Sequence, residues 1–172
     1  MGMFMSSVAF RCNDAKQWEV IKPKILKMVE AVDGLVNNFD ASETGFCVLS
    51  PYGDGGSFLA ELPEKISALS GGYAVFATCV DSDFDIIELY CNGELLENSF
   101  IGHVYEEYAD FYDVKAPDIN LWKPLLLDDT KVEELHNALF SEEVFAEDHL
   151  RLLSELTGLP IFDDEMMQEA EV

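Results

Sequence analysis

The stretch YAVFATCVDSDFDIIELYCNGELLENSF, residues 73–100, contains three apolar runs separated by two short turns. Each run is rich in the β-branched and aromatic residues that favour strands. Asn92-Gly93 is a favoured pair for a two-residue hairpin loop, because both central residues of a type I′ turn need a positive φ. The DSDFD sequence, residues 81–85, makes the other connection. The stretch therefore predicts three consecutive strands of an antiparallel sheet.

Further strands and helices are predicted on both sides of this stretch. Strand-like runs precede it at residues 7–12 and 45–52, and apolar residues recur at helical spacing in other segments. The expected helices run from Asn13 or Asp14 to Gly34, over residues 63–70 and 103–114, after the capping-box pair Thr130 and Glu133, and over residues 145–157. We expect one α+β domain over residues 1–162: a mainly antiparallel sheet of about five strands with helices packed on it, and a helical C-terminal third. Residues 163–172 are predicted to form an acidic, disordered tail.

The charge of the chain is strongly negative and unevenly distributed. Against 34 acidic residues stand 10 basic ones, which gives a formal net charge of −24 at pH 7. The net charge is zero over residues 1–40 (five basic, five acidic), −9 over residues 41–102 (one basic, ten acidic) and −15 over residues 103–172 (four basic, nineteen acidic). Because nucleic-acid binding depends on Lys and Arg that neutralise phosphates, this composition excludes a nucleic-acid-binding domain. A cationic protein is the partner that such a field favours.

The start of the chain and its cysteines predict a cytoplasmic protein that does not bind membranes. MGMFMSSVAFRC, residues 1–12, lacks a basic leader and a sustained apolar run, and no window of about 20 apolar residues occurs later. Anionic lipids would repel the negative chain. Cys12, Cys47, Cys79 and Cys91 form no CxxC pair and stand in apolar, strand-like settings, as free thiols in a reducing compartment do.

The aspartates of the DSDFD turn match a calcium loop only in part. Asp81, Asp83 and Asp85 alternate as hard oxygen ligands do, but Ile86 and Asn92 stand where an EF-hand loop needs a Gly and a bidentate acid. Turn chemistry explains these aspartates better, because Asp side chains bond the backbone of tight turns. We assign no metal ligand, and leave open whether the turn binds a divalent cation.

The other motifs of the chain carry no complete catalytic or cofactor signature. GDGGS, residues 53–57, lacks the third Gly of a dinucleotide fingerprint and the Lys of a P-loop. No local motif links His103, His136 or His149 to a Ser or Cys nucleophile, and His149 is expected to be a packed helix residue. We therefore assign no catalytic residue and no cofactor.

Two features predict a binding surface for a protein partner. A regular register around the Asn92-Gly93 turn places Glu88 directly opposite Glu97, and such a pair either attracts a basic side chain or splays apart in solvent. Over residues 103–114, aromatic residues share one helical face and acids lie beside it. This pattern fits either core packing or the aromatic anchors and charged rim of an interface. The predicted partner-binding residues are Glu88, Glu97, Tyr105, Glu106, Glu107, Tyr108 and Tyr112.

Two segments of the chain resemble known bacterial proteins. VDSDFDIIELYCNGELLENS, residues 80–99, and FAEDHLRLLSELTGLP, residues 145–160, are similar to a loose group of uncharacterised acidic bacterial α+β proteins. The shared features are a DSD turn, an ELYxNG hairpin and a C-terminal helix that ends in TGLP. The group implies no activity, so no functional residue is carried over. In size and acidity the chain is also similar to immunity proteins of bacterial toxin systems, many of which are small acidic domains that mask a basic toxin.

These observations lead to one principal hypothesis and two alternatives. The principal hypothesis is a non-enzymatic acidic protein that engages a cationic protein surface, with an immunity-type inhibitor of a toxin as its most concrete form. The first alternative is an enzyme whose site is assembled from dispersed carboxylates and His103, which would show as a concave pocket that holds a perturbed carboxylate. The second is a housekeeping domain whose acidity only maintains solubility.

Overall fold

The computed structural model describes residues 5–12, 15–30, 38–41, 45–50, 61–102, 106–141, 145–162 and 164. Six strands lie in these ranges: β1 Met5–Arg11, β2 Asn38–Ala41, β3 Gly45–Ser50, β4 Tyr73–Val80, β5 Phe84–Cys91 and β6 Glu94–Gly102. They form one sheet in the order β2-β3-β1-β4-β5-β6, and each neighbouring pair is antiparallel. The α+β class is confirmed. The sheet has one strand more than the expected five, because β2 was not recognised from the sequence.

The helices of the described ranges flank and follow the sheet strands. They are α1 Ala15–Glu30, α2 Glu61–Ser70, α3 Glu106–Tyr112, α4 Ile119–Trp122, α5 Val132–Phe140 and α6 Glu147–Thr157, with a 3-10 turn at Lys123–Leu125. The positions of α4, α5 and α6 roughly match the expected helical C-terminal third. In the part of the chain that the structure describes, none of them has the length and apolar character needed to cross a membrane.

Of two sequence signals at helix ends, the structure confirms one and contradicts the other. Gly158 follows α6 with a φ of +66°, which confirms the predicted stop. Thr130, by contrast, does not cap α5, whose N-cap residue is Lys131. The Thr130 backbone N–H and hydroxyl both donate to the Asp128 carboxylate, at 3.0 and 2.6 Å. The capping-box prediction was therefore wrong, because Thr130 belongs to the turn before the helix.

The three-strand stretch folds as predicted at its turns. Asn92 and Gly93 have φ values of +52° and +81° between β5 and β6, as a type I′ pair requires. Asp81 and Ser82 also have positive φ, and the Asp83 N–H donates to the Val80 carbonyl at 2.9 Å to close the turn between β4 and β5. Both hairpins are thus specified by residues within the turns.

The register of the β5–β6 hairpin differs from the prediction. Tyr90 pairs with Leu95, but the next pair is Leu89 with Glu97, because a β-bulge leaves Leu96 between them without a partner on β5. Glu88 therefore lies opposite Asn98, and the predicted Glu88–Glu97 pair is wrong. Side chains alternate along a strand, so this one-residue shift moves Glu97 to the sheet face opposite that of Glu88.

The sheet carries a hydrophobic cluster on each face. One face packs against α1 and α2 through residues that include Phe10, Trp18 and Ile66. The opposite face packs against α4, α5 and α6 through residues that include Ile87, Leu135 and Leu150. The sheet is therefore the middle layer of three.

Candidate functional site

An exposed group of aromatic and acidic side chains lies on α3. This group, the α3 patch, consists of Glu107, Tyr108, Asp110, Phe111, Tyr112 and Asp113. Its base is Phe84 at the start of β5, which is buried. The ring centroids of Tyr108 and Tyr112, one helical turn apart, lie 5.8 and 6.2 Å from that of Phe84. The short helix is therefore held on the sheet by aromatic contacts with Phe84, while both tyrosines stay partly exposed.

The aromatic residues of the α3 patch are more exposed than core packing would allow. Phe111 is 78% exposed, Tyr108 45% and Tyr112 38%. The ring of Phe111 meets that of Tyr112 edge-on, at a centroid distance of 4.9 Å. The core residue of this segment is Val114, just after α3, which packs with Phe84 in a small cluster. Of the two interpretations of the aromatic stripe, the exposure favours an interface.

Acidic side chains surround these rings. Glu107, Asp110 and Asp113 are all exposed, and Lys115 is the nearest basic residue along the chain. Among the described residues, no Lys or Arg forms an ion pair with these three acids. Their negative potential therefore adds to the field of the whole chain.

Two of the predicted binding residues lie outside what the structure describes. Tyr105 belongs to residues 103–105, which fall between β6 and α3 and are not described, and His103 lies in the same gap. Glu106 is the first residue of α3, but its side chain is not described. The predicted roles of these residues stay predictions.

Glu88 is half-buried on the sheet face that carries Phe84, where its carboxylate accepts a hydrogen bond from the Tyr90 hydroxyl at 2.6 Å. Burial of Tyr90 and this hydrogen bond raise the pKa of the tyrosine hydroxyl. The second carboxylate oxygen of Glu88 has no hydrogen bond within the described part of the chain. Glu88 therefore has one carboxylate oxygen without a hydrogen bond in the described part of the chain, and it is not among the residues that contact the rings of the α3 patch.

Glu97 is a structural residue rather than part of a binding surface. It is only 2% exposed. Its Oε1 accepts from the Ser99 hydroxyl at 3.1 Å and from Trp122 Nε1 at 2.8 Å, while Oε2 accepts from the Asp118 backbone N–H at 2.6 Å. The carboxylate thus joins β6 to α4. The assignment of Glu97 to the partner-binding surface was wrong, because the bulge turns its side chain inward.

A second group of polar side chains, which the sequence did not reveal, lies between the sheet and α6, where all but the partly exposed Glu147 are buried. This buried polar cluster consists of Cys79, Asp85, Glu147 and His149. Cys79 and Asp85 are cross-strand partners on β4 and β5. The His149 Nδ1 lies 3.9 Å from Asp85 Oδ2, and Cys79 Sγ lies 3.9 Å from Glu147 Oε2. The only sequence signal for it is an aspartate flanked by Phe84 and Ile86 in an apolar strand, which we interpreted as part of the turn.

The buried polar cluster also anchors the start of α6. The Ala146 backbone N–H donates to the Ser82 carbonyl at 3.0 Å, and the Ser82 hydroxyl donates to Glu147 Oε1 at 3.3 Å. The DSDFD turn therefore holds the first turn of the last helix. This contact gives the turn a structural role.

The protonation states of the buried polar cluster follow from its burial. His149 Nε2 lies 2.8 Å from the Ser141 carbonyl and must donate to it, so a neutral His149 presents a bare Nδ1 toward Asp85. Neither oxygen of Asp85 has a hydrogen-bond partner within the described residues. Burial raises the pKa of the Asp85 carboxyl well above its usual value, and burial likewise raises the pKa of the Cys79 thiol. The favoured state is a neutral carboxylic acid beside a neutral thiol.

This state makes the buried polar cluster unsuitable for nucleophilic chemistry. The nucleophile of a cysteine enzyme is the thiolate, whose formation needs a lowered thiol pKa. Cys79 and Asp85 are fully buried and His149 is 1% exposed, so a substrate cannot reach them in this structure. The cluster supplies the perturbed carboxylate of the enzyme hypothesis, but as far as the chain is described its Cys79, Asp85 and His149 are buried and do not line an open pocket.

The structure separates the other candidate residues. Asp81 and Asp83 are exposed whereas Asp85 is buried, so the three aspartates do not converge as calcium ligands. Within the described ranges, no group of three or more His, Cys, Asp or Glu residues could hold a metal ion. His136 is exposed, and its ring stacks on Phe140 at 4.7 Å. The GDGGS loop and the Cys47 side chain lie outside the described part of the chain.

Comparison with known proteins adds no relative. No protein-family model matches the chain. No curated protein and no solved structure matches it significantly. The functional interpretation therefore depends on the α3 patch and on the charge of the chain.

Proposed function

We propose that this protein is a non-enzymatic acidic binding protein whose α3 patch engages a cationic protein surface. The most concrete form of this role is an immunity-type inhibitor that masks a basic toxin. The observation that carries the proposal is Phe111, a large apolar side chain that is 78% exposed amid exposed carboxylates. Exposed aromatic anchors with a charged rim are typical of protein interfaces.

The charge of the chain supports a cationic partner. A net charge of −24 raises the rate of encounter with a positive surface, and salt weakens this attraction. The same charge opposes pairing of two α3 patches, since each would bring its own carboxylates against the other. A second copy of this chain is therefore a poorer partner for the α3 patch than a basic protein.

The proposed mechanism has two steps. Long-range attraction first brings the basic surface toward the acidic side of the domain, and the rings of Tyr108, Phe111 and Tyr112 then pack against it. Glu107 and the free oxygen of Glu88 would pair with Lys or Arg of the partner. The aromatic contacts are expected to set the dissociation rate, whereas the charges set the association rate.

We place this role in the cytoplasm. Cys79 and Cys91 are free thiols in the structure, and Cys79 is buried. Free buried thiols persist in a reducing compartment. The state of Cys79 and Cys91 supports the proposed location.

The proposal is tested by capture from a lysate of the native host at low salt with three immobilised proteins. They are the wild type, a patch variant with Glu107→Lys, Asp110→Lys and Asp113→Lys, and a control with Asp129→Lys, Glu133→Lys and Glu134→Lys. The control changes the net charge equally at exposed positions before and within α5. We expect a basic protein that binds the wild type and the control but not the patch variant.

The captured protein is then identified and its affinity for the wild type measured over a salt gradient. We expect the affinity to fall as salt rises, and co-expression with this domain to relieve any toxicity of the partner. Equal elution of the same proteins from all three columns would contradict the proposal. That result would favour an acidic housekeeping domain whose charge attracts basic proteins without a specific site.

A further inference from the structure

We infer that the depression between two turns of α3 binds the guanidinium group of an arginine side chain of the partner. This inference rests on the proposed function and adds the side chain that the α3 patch selects. It is carried by the residues that line the depression. Among the described residues they are one carboxylate and three aromatic rings, contributed by Glu107, Tyr108, Phe111 and Tyr112.

The depression has a volume of about 380 Å³ and is open to solvent on one side. Tyr108 and Tyr112 are fixed from below by their contacts with Phe84. Phe111 meets Tyr112 at an interplanar angle of 89°, so the two rings form adjacent, perpendicular walls. Such a corner lets a flat group stack on one ring while it meets the edge or face of the other.

The chemistry of these walls favours a cation. The face of an aromatic ring attracts a positive charge within about 6 Å of its centroid. Glu107 adds a carboxylate that is not ion-paired to any Lys or Arg in the described part of the chain. A cation in the depression would therefore lie against the aromatic rings and beside the Glu107 carboxylate.

Arginine fits this site better than lysine for two physical reasons. The guanidinium is planar, so it stacks on a ring while its N–H groups donate in pairs to a carboxylate. It is also more weakly hydrated than an ammonium group, and therefore loses less when it leaves water for a partly apolar site. The described walls of the depression are mostly aromatic rings, which favour stacking of a planar cation over contact with a point charge.

The inference is tested with two peptides of equal length and charge, a Gly-Arg repeat and a Gly-Lys repeat. Binding to the full chain is measured by calorimetry at low salt, and the contacted residues by amide NMR shifts. The test variants are Phe111→Ala and Glu107→Gln. The matched controls on α5 are Phe140→Ala and Glu134→Gln, which remove an exposed ring and an exposed acid elsewhere.

We expect the wild type to bind the Gly-Arg peptide about 5-fold more tightly than the Gly-Lys peptide, with shifts centred on α3. Phe111→Ala is expected to lower affinity for the Gly-Arg peptide by about 2- to 5-fold, the usual size of an exposed cation–π contact. Glu107→Gln is expected to lower it by about the same factor, the usual size of an exposed ion pair. The two controls should keep the preference. Because Phe111 and Glu107 are exposed, neither substitution removes core packing.

The outcomes separate this inference from the proposed function. Equal binding of the two peptides, or an arginine preference that survives both test variants, would overturn the inference. If in that case the patch variant with three lysines still binds both peptides more weakly than its charge-matched control, the proposed function stands without the arginine site. If the patch variant and its control bind both peptides alike, the proposed function fails as well.

Discussion

Replacement of Asp85 by Asn should make the protein more stable, by an amount that grows with pH. Burial raises the pKa of the folded Asp85 carboxyl well above its usual value of 3.8. A carboxyl whose pKa is raised in the folded state stabilises the fold when it is protonated, below its unfolded pKa. That contribution is lost as the pH rises toward the folded pKa, because the unfolded chain ionises freely while the folded one cannot. Asn keeps the shape of the neutral acid and has no proton to lose.

The expected magnitude follows from this linkage. One pKa unit corresponds to about 1.4 kcal/mol, so the difference in unfolding free energy between Asp85→Asn and the wild type opens by at most about 1.4 kcal/mol per pH unit. Between pH 5 and pH 7 it should grow by up to about 2.7 kcal/mol in favour of the variant. Any packing cost of the Asn amide is the same at every pH, so the slope carries the test.

Urea denaturation at pH 5, 6 and 7, followed by the fluorescence of the buried residues Trp18 and Trp122, measures this slope. Asp83→Asn, in the exposed part of the same turn, is the control for loss of a carboxylate without loss of a buried group. The reasoning would be refuted if the difference in unfolding free energy did not shift in favour of Asp85→Asn between pH 5 and pH 7, and most clearly if this lack of slope came with a loss of about 3–5 kcal/mol in the variant at pH 7. That loss would mean that Asp85 is ionised and paired with a protonated His149, since removal of one partner leaves a buried charge.

Three further expectations concern the described core and its turns. Glu97→Gln should lower the unfolding free energy by about 2–3 kcal/mol in urea denaturation, because the amide NH₂ of Gln cannot accept from the donors that the carboxylate satisfies. The control Glu94→Gln, at an exposed position on the same strand, should change the unfolding free energy by less than about 0.5 kcal/mol. Equal effects of the two substitutions would contradict the role given to Glu97. Gly93→Ala should cost at least about 1–2 kcal/mol by the same measurement, since φ is +81° and the added Cβ would lie 2.9 Å from a neighbouring side-chain carbon; an unchanged stability would argue against this turn. In thiol titration of the native protein, the partly exposed Cys91 should react before Cys79, because burial raises the pKa of the Cys79 thiol. A fast reaction at Cys79, identified by mass spectrometry, would show that the buried polar cluster opens.

The elements that the sequence predicted well are those determined by neighbouring residues. The β4–β5–β6 stretch and its turns follow from strand-forming runs and from the positive φ that Asn92 and Gly93 tolerate. The end of α6 follows from Gly158 in the same way. The negative charge of the chain follows from composition alone, because net charge is a sum over residues and needs no fold.

The features that the sequence left undetermined depend on contacts between distant residues. The bulge at Leu96 turns Glu97 toward Trp122, which lies 25 positions away and donates a hydrogen bond to it. Rules for hairpin register consider only residues near the turn, so they do not include this hydrogen bond. The alternation pattern that predicted Glu88 opposite Glu97 therefore failed by one residue, and one residue is enough to change the face of the sheet.

The buried polar cluster and the α3 patch were decided in the same way. Asp85 meets His149 only because α6 packs over the end of β5, which no local pattern in the DSDFD turn reveals. The sequence pattern of the α3 aromatic residues fits core packing and an interface equally well. The placement of the helix on Phe84 buries Val114 and leaves Phe111 exposed to solvent. The sequence by itself determined the local conformations and the charge of this protein. Only the tertiary structure decided which side chains lose water, because burial is a property of packed elements and not of any single segment.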